Sequence, residues 1–155
     1  MKITVRQKSD FHFIGTGEDF GGELPIDAAA HVGGKGRGFR PPGLMMYSVA
    51  ACMGIHAYEA LHHAGKHVED VEVFTDGERR PDYPKVYTKI VLSFRMKGRD
   101  LTDEDVRSAI NDALTRTCSI AVMVNVACPI TCEYEVDVEN GAPVKGAFTS
   151  ESATL

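Results

Sequence analysis

Apolar and polar residues alternate over residues 2–14. Ile3 and Val5 stand against Lys2, Thr4 and Arg6, and Phe11 and Phe13 continue the pattern. A period of two marks a strand with one face covered, so these residues are expected as one half-buried strand. Thr16-Gly17-Glu18-Asp19 is a turn sequence, and residues 22–27 read as a short return strand. Residues 31–43 then hold five glycines and two prolines. A loop of that length and composition is mobile unless something pins it, and such loops often carry function. It contains Gly-x-Gly steps but neither the dinucleotide-binding fingerprint nor the P-loop lysine, so the pattern does not point to phosphate.

The stretch PPGLMMYSVAACMGIHAYEALHHAG, residues 41–65, is the most distinctive in the chain. Pro42 suits the first turn of a helix, and Gly65 suits the left-handed position that ends one. Leu44, Met45, Val49, Ala50, Ala51, Cys52, Met53, Ile55, Ala57 and Leu61 cover nearly all of its sides. A helix apolar all round belongs in an interior. A chain of 155 residues can rarely surround six turns of helix, so a homodimer that sandwiches two such helices is expected.

Beyond it, residues 68–75 read as a strand and 76–84 as a charged turn. Residues 85–97 alternate Val86, Ile90, Leu92, Phe94 and Met96 into the clearest strand, which Gly98 ends. Thr102 is an N-cap, with Asp103, Glu104 and Asp105 in the first helical turn. Val106, Ala109, Ile110, Ala113 and Leu114 then form one apolar face, which Arg116-Thr117 interrupts. Residues 118–124 read as a shorter buried helix and 130–139 as a last strand. Residues 141–155 are small and polar, and read as a loose tail. The order lacks regular strand–helix–strand alternation, so an α+β fold with antiparallel sheet is expected, as one domain over residues 1–140.

Composition narrows the function classes. A chain of 155 residues with 43% apolar and 25% charged residues is an ordinary globular domain that folds without a staple. Its formal net charge of −5 argues against nucleic acid as a partner, which needs a clustered basic face. No apolar run approaches the roughly 18–20 residues of a membrane span. The opening MKITVRQKSDFHF has no apolar secretory core, so a cytosolic location with reduced cysteines is expected.

The four cysteines carry the candidate chemistry. Cys52 lies in the first half of the long helix and Cys118 near the start of a short one. A cysteine near a helix N-terminus is stabilised as thiolate, can be oxidised by peroxide to a sulfenic acid, and can be resolved by a second thiol. The competing reading is that both are small buried hydrophobes. Cys128 and Cys132 do not form a C-x-x-C motif and read as packing residues. Cys52 and His56 stand at i and i+4, a spacing that can chelate zinc. No second such unit completes a site, and the helix C-terminus explains His62, His63 and His67 without a metal. A thiolate peroxidase also needs a cation at sulfur. Arg37 and Arg40 in the glycine-rich loop and Arg79 or Arg80 in the charged turn are candidates, each also readable as a solvated surface arginine.

The run RPPGLMMYSVAACMG, the Cys52-to-Cys118 spacing, the context TRTCSIAVMV and the stretch GERRPDYPKVYTKIVLSF resemble the OsmC/Ohr family, and within it the general OsmC-like redox proteins. The resemblance covers residues 36–139. It implies an intertwined α+β homodimer with antiparallel sheets around two long central helices. It also implies reduction of organic hydroperoxides by a cysteine pair, with recycling by a dithiol reductant such as a lipoylated protein and no bound cofactor. Carried over, Cys52 matches the peroxidatic position and Cys118 the resolving one. The family's Ohr and OsmC types place a glutamate after the proline that opens the long helix, to hold the active arginine. Here Gly43 follows Pro42, and Arg79 is the substitute suggested by the subgroup pattern. Leu44, Met45, Met53 and His56 are then expected around Cys52 as the substrate pocket. The rival expectation is a non-catalytic protein of the same fold that holds an apolar ligand at the dimer interface.

Overall fold

The computed structural model describes residues 2–149. The chain divides into two compact units, Met1–Met46 and Tyr47–Leu155. The first is a three-stranded antiparallel meander of β1 (Ile3–Ser9), β2 (His12–Gly17) and β3 (Phe20–Asp27). The single strand expected over residues 2–14 is therefore a hairpin. Asp10 takes a left-handed conformation with φ 42, which a short polar side chain tolerates, and the chain reverses between Ser9 and His12. The apolar parity carries through the turn, which is why the alternation looks unbroken. β1 is exposed along its length, with Ile3 65% and Val5 54% accessible, so it is not half-buried by this chain.

The long helix α1 runs over Pro41–His63. Its buried positions are Met46, Val49, Met53, Ala57 and Leu61, one stripe at helical spacing. The opposite stripe, with Tyr47, Ile55 and Tyr58, stays exposed. After it the second unit builds a four-stranded sheet in the order β4-β5-β6-β7: β4 (His67–Arg79), β5 (Tyr87–Arg99), β6 (Ile130–Val138) and β7 (Val144–Thr149). β4 runs on through the first four residues of the expected charged turn, and β5 passes through Gly98 rather than ending there.

This sheet is not purely antiparallel, because β5 and β6 pair in parallel from Ile90↔Ile130 to Gly98↔Val138. The helical excursion between them, α2 (Asp103–Asp112), a π turn (Ala113–Thr117) and α3 (Ser119–Ala127), returns the chain to the end where β5 began. β7 occupies residues expected as loose tail: Val144–Thr149 pair antiparallel with β6. Residues 150–155 lie outside the described residues.

Alternate residues of the central strands form the core: Ile90, Leu92 and Phe94 of β5, and Ile130, Cys132 and Val136 of β6. They are joined by Val106, Ile110 and Leu114 from the helical segment. Each buried side chain of this size is worth about 1.5–3 kcal/mol against exposure. Thr102 caps α2 as expected. Its side chain accepts from the Asp105 amide at 3.2 Å, and the Asp105 carboxylate accepts from the Thr102 amide at 3.0 Å. Among the described residues no helix is long and apolar enough to cross a membrane.

Candidate functional site

Cys52 and Cys118 meet. Cys52 is half-buried in α1, between the fully buried Val49 and Met53. Cys118 is wholly buried at the N-cap of α3, where its sulfur accepts the Ala121 amide at 3.3 Å. The two thiols are neighbours, close enough for Cys52 to act on the ionisation of Cys118. Burial, then the hydrogen bond with Cys52, pushes the Cys118 thiol from 9.0 up to about 11, against the opposing pull of the Ala121 and Ile120 amides. Cys118 therefore keeps its proton through the neutral range. Of the pair, Cys118 is wholly buried and Cys52 partly accessible.

The other two cysteines lie in the packed interior. Cys128 is buried at the end of α3 and Cys132 at the centre of β6. Burial raises both thiols, Cys132 up to about 12. Both are small apolar side chains filling the interior.

The remaining expected residues scatter. Met53 is core, with no accessible surface, and Met45 is half-buried. Leu44 belongs to the first unit, where it joins Ile3, Val5, Leu24 and Ile26 around an apolar cavity of about 460 Å³. His56 pairs with the next turn of its own helix, its Nδ1 3.1 Å from Glu59 Oε2. Among the described residues no three His, Cys, Asp or Glu side chains gather as metal ligands. Arg79 serves its own turn: Nε donates to the Lys85 carbonyl at 2.7 Å, and the guanidinium lies 5.4 Å from the centre of the Tyr87 ring. Arg40 is exposed just ahead of α1.

Arg37 is held by a residue that the sequence pattern did not single out. Asp27, 1% accessible at the end of β3, accepts from the amides of Ala28, Lys35 and Arg37, each at 2.9 Å, and from Arg37 Nε at 3.3 Å. The Arg37 amide, partly opposed by burial and aided by the other donors, holds this carboxyl well below the usual range. Arg37 Nη1 also donates to Ser9 Oγ at 3.0 Å. The glycine-rich loop is thus pinned, not mobile. A Cβ at Gly34 would collide with the Ala28 carbonyl, and one at Gly38 with the Pro25 backbone, so the closed loop admits only glycine there. The available signal was an aspartate closing a strand directly before a run of glycines, where a side-chain oxygen can collect loose amides.

A family model described as OsmC-like protein matches residues 34–133. Protein YhfA of Escherichia coli strain K12 is 34% identical over 96 residues, covering 62% of this chain and 72% of that protein. A hypothetical protein from Aquifex aeolicus VF5 has a similar structure, with a TM-score of 0.78, 22% identity and coverage of 89% of this chain and 96% of its own. So does an organic hydroperoxide resistance protein OsmC from Legionella pneumophila, with a TM-score of 0.63, 15% identity and coverage of 89% and 95%.

Proposed function

The chain belongs to the OsmC-like family, and on that premise we propose that it is a dithiol peroxidase for organic hydroperoxides, in which Cys52 attacks and Cys118 resolves. The observation that carries the reading is the contact between an accessible thiol and a buried one kept protonated. In the first step the Cys52 thiolate attacks the peroxide and takes one oxygen. The O–O bond breaks, and the alkoxide leaves with a proton from solvent as an alcohol. Cys52 is now a sulfenic acid. In the second step the Cys118 sulfur attacks the Cys52 sulfur. The S–O bond breaks, and the Cys118 proton leaves with the hydroxyl as water. A dithiol reductant, with lipoylated proteins as the proposed source, returns both thiols, and the cytosol is the proposed compartment.

Two further parts belong to this reading. A second copy covers the exposed stripe of α1, where Tyr47, Ala51, Gly54 and Ile55 line an apolar groove of about 500 Å³ with Val71 and Val73 of β4. An arginine among Arg37, Arg40 and Arg79 assists the thiolate. Single alanine variants of the three identify it as the one whose loss slows oxidation of Cys52.

The deciding experiment mixes reduced protein with one equivalent of cumene hydroperoxide and counts free thiols. Loss of two thiols in the native protein and none in Cys52→Ser is expected; unchanged thiols in the native protein remove the enzyme reading. The apolar cavity of the first unit favours a second reading, a binding protein for an apolar ligand. Native mass spectrometry showing a co-purifying ligand, together with inert thiols, would select it.

A further inference from the structure

The buried face of α2 changes phase just before Cys118. Val106, Ala109, Ile110, Ala113 and Leu114 face inward. At 3.6 residues per turn the next inward position of a regular helix is 117. Yet Thr117 is exposed and Cys118 is wholly buried. The π turn Ala113–Thr117 accounts for this, since it holds one residue more than an α-turn allows. Its closing rung is made by Cys118 itself, whose amide donates to the Ala113 carbonyl, five residues back, at 3.0 Å. Two hydroxyls of the widened turn donate to carbonyls just before it: Thr115 Oγ1 to Asn111 O at 2.8 Å and Thr117 Oγ1 to Asp112 O at 3.5 Å. On its other side Cys118 begins α3, with its carbonyl accepting from Val122 at 3.0 Å. Cys118 is therefore the junction between a widened turn and a regular helix.

A disulfide bond is shorter than any contact between two free thiols, so one sulfur must approach the other. Cys52 sits mid-way along a 23-residue helix, next to the fully buried Met53 and three residues after the fully buried Val49; moving it disturbs the buried stripe of α1. The widened turn beside Cys118 is the irregular element of the two, of a kind that recurs at functional sites. We propose that the π turn Ala113–Thr117 is a joint built into the resolving step, yielding so that Cys118 closes on the Cys52 sulfenic acid while α1 stays fixed. The inference rests on the dithiol reading above. It concerns only the second step, in which Cys118–SH and Cys52–SOH become a disulfide and water.

Deletion of Thr115 is the test. Removing the extra residue regularises the turn and leaves Cys118 eleven positions after Val106, which at about 100° per residue still faces inward. The facing is kept and the slack is lost. With cumene hydroperoxide, formation of the Cys52 sulfenic acid, trapped by dimedone, is expected at the native rate. Disulfide formation is expected to fall at least tenfold, so that sulfenic acid accumulates. Disulfide formation at the native rate in a folded deletion variant overturns the proposal. Amide exchange of the native protein provides an independent reading should the variant not fold. Oxidation is expected to change protection at residues 115–118 and leave residues 49–57 of α1 unchanged; a change confined to α1 overturns it. Native protein whose thiols ignore peroxide instead removes the dithiol reading itself, an outcome distinct from both.

Discussion

At the scale of the residue, what separates the four cysteines is environment, not identity. Burial raises Cys118, Cys128 and Cys132, and a shared hydrogen bond adds to the effect at Cys118 alone. In Cys52→Ala that contribution is gone, so Cys118 is expected to ionise at lower pH than in the native protein, as read from the 13C shift of its Cβ. The raised thiols also give stability a sign with pH. An unfolded cysteine ionises near 9.0, whereas folded Cys118 and Cys132 hold their protons to about 11 and about 12. The contribution is complete below the unfolded value and is lost as pH rises through the folded ones. The reduced protein is therefore expected to have a lower urea midpoint at about pH 10.5 than at about pH 8.

At the scale of the element, two local devices set the geometry. The reciprocal Thr102–Asp105 cap starts α2 in register, and Thr102→Ala is expected to cost about 1 kcal/mol in urea unfolding. The second device is the closed glycine-rich loop. Gly38→Ala cannot be accommodated beside the Pro25 backbone. The variant is expected to open the loop while the fold persists, seen as new proteolytic cleavage within residues 28–40 and loss of amide protection at Lys35 and Arg37, whose amides bind Asp27. Asp27→Asn, which removes the charge that gathers these donors, is expected to weaken the same protection.

At the scale of the whole molecule, α1 poses the main question. One stripe of it is buried by its own chain, while Tyr47 is 62% and Ile55 65% accessible on the other. Exposed apolar area of this kind, continuous with Val71 and Val73 in one groove, is what an interface leaves behind when a partner is removed. The proposed homodimer is expected to sediment at twice the chain mass. Ile55→Asp, which places a charge in the middle of that groove, is expected to shift it to monomer. A native protein that sediments as a stable monomer contradicts the homodimer.

The linear pattern was enough for what depends on neighbours a few residues apart. The period-two runs located β5 and β6, the apolar run from Pro41 located α1, and the Thr102-to-Asp105 spacing located a cap, because each is a local match of side chain to backbone geometry. The packing of Cys128 and Cys132 in the interior was also legible, since they form no paired-cysteine motif. What lay beyond it were matters of pairing across long separations. The parallel β5–β6 register depends on where the intervening helices return the chain. β7 is a strand because β6 offers it an edge, and its own sequence from Val144 shows little strand signal. Asp27 binds amides eight and ten residues away, which no periodicity encodes. The interruption at Arg116-Thr117 was visible in the sequence. Only the fold shows it as a π turn that brings Cys118 inward to meet Cys52, since hydrogen bonding decides the phase of a helix and contact between distant segments decides which thiols can react.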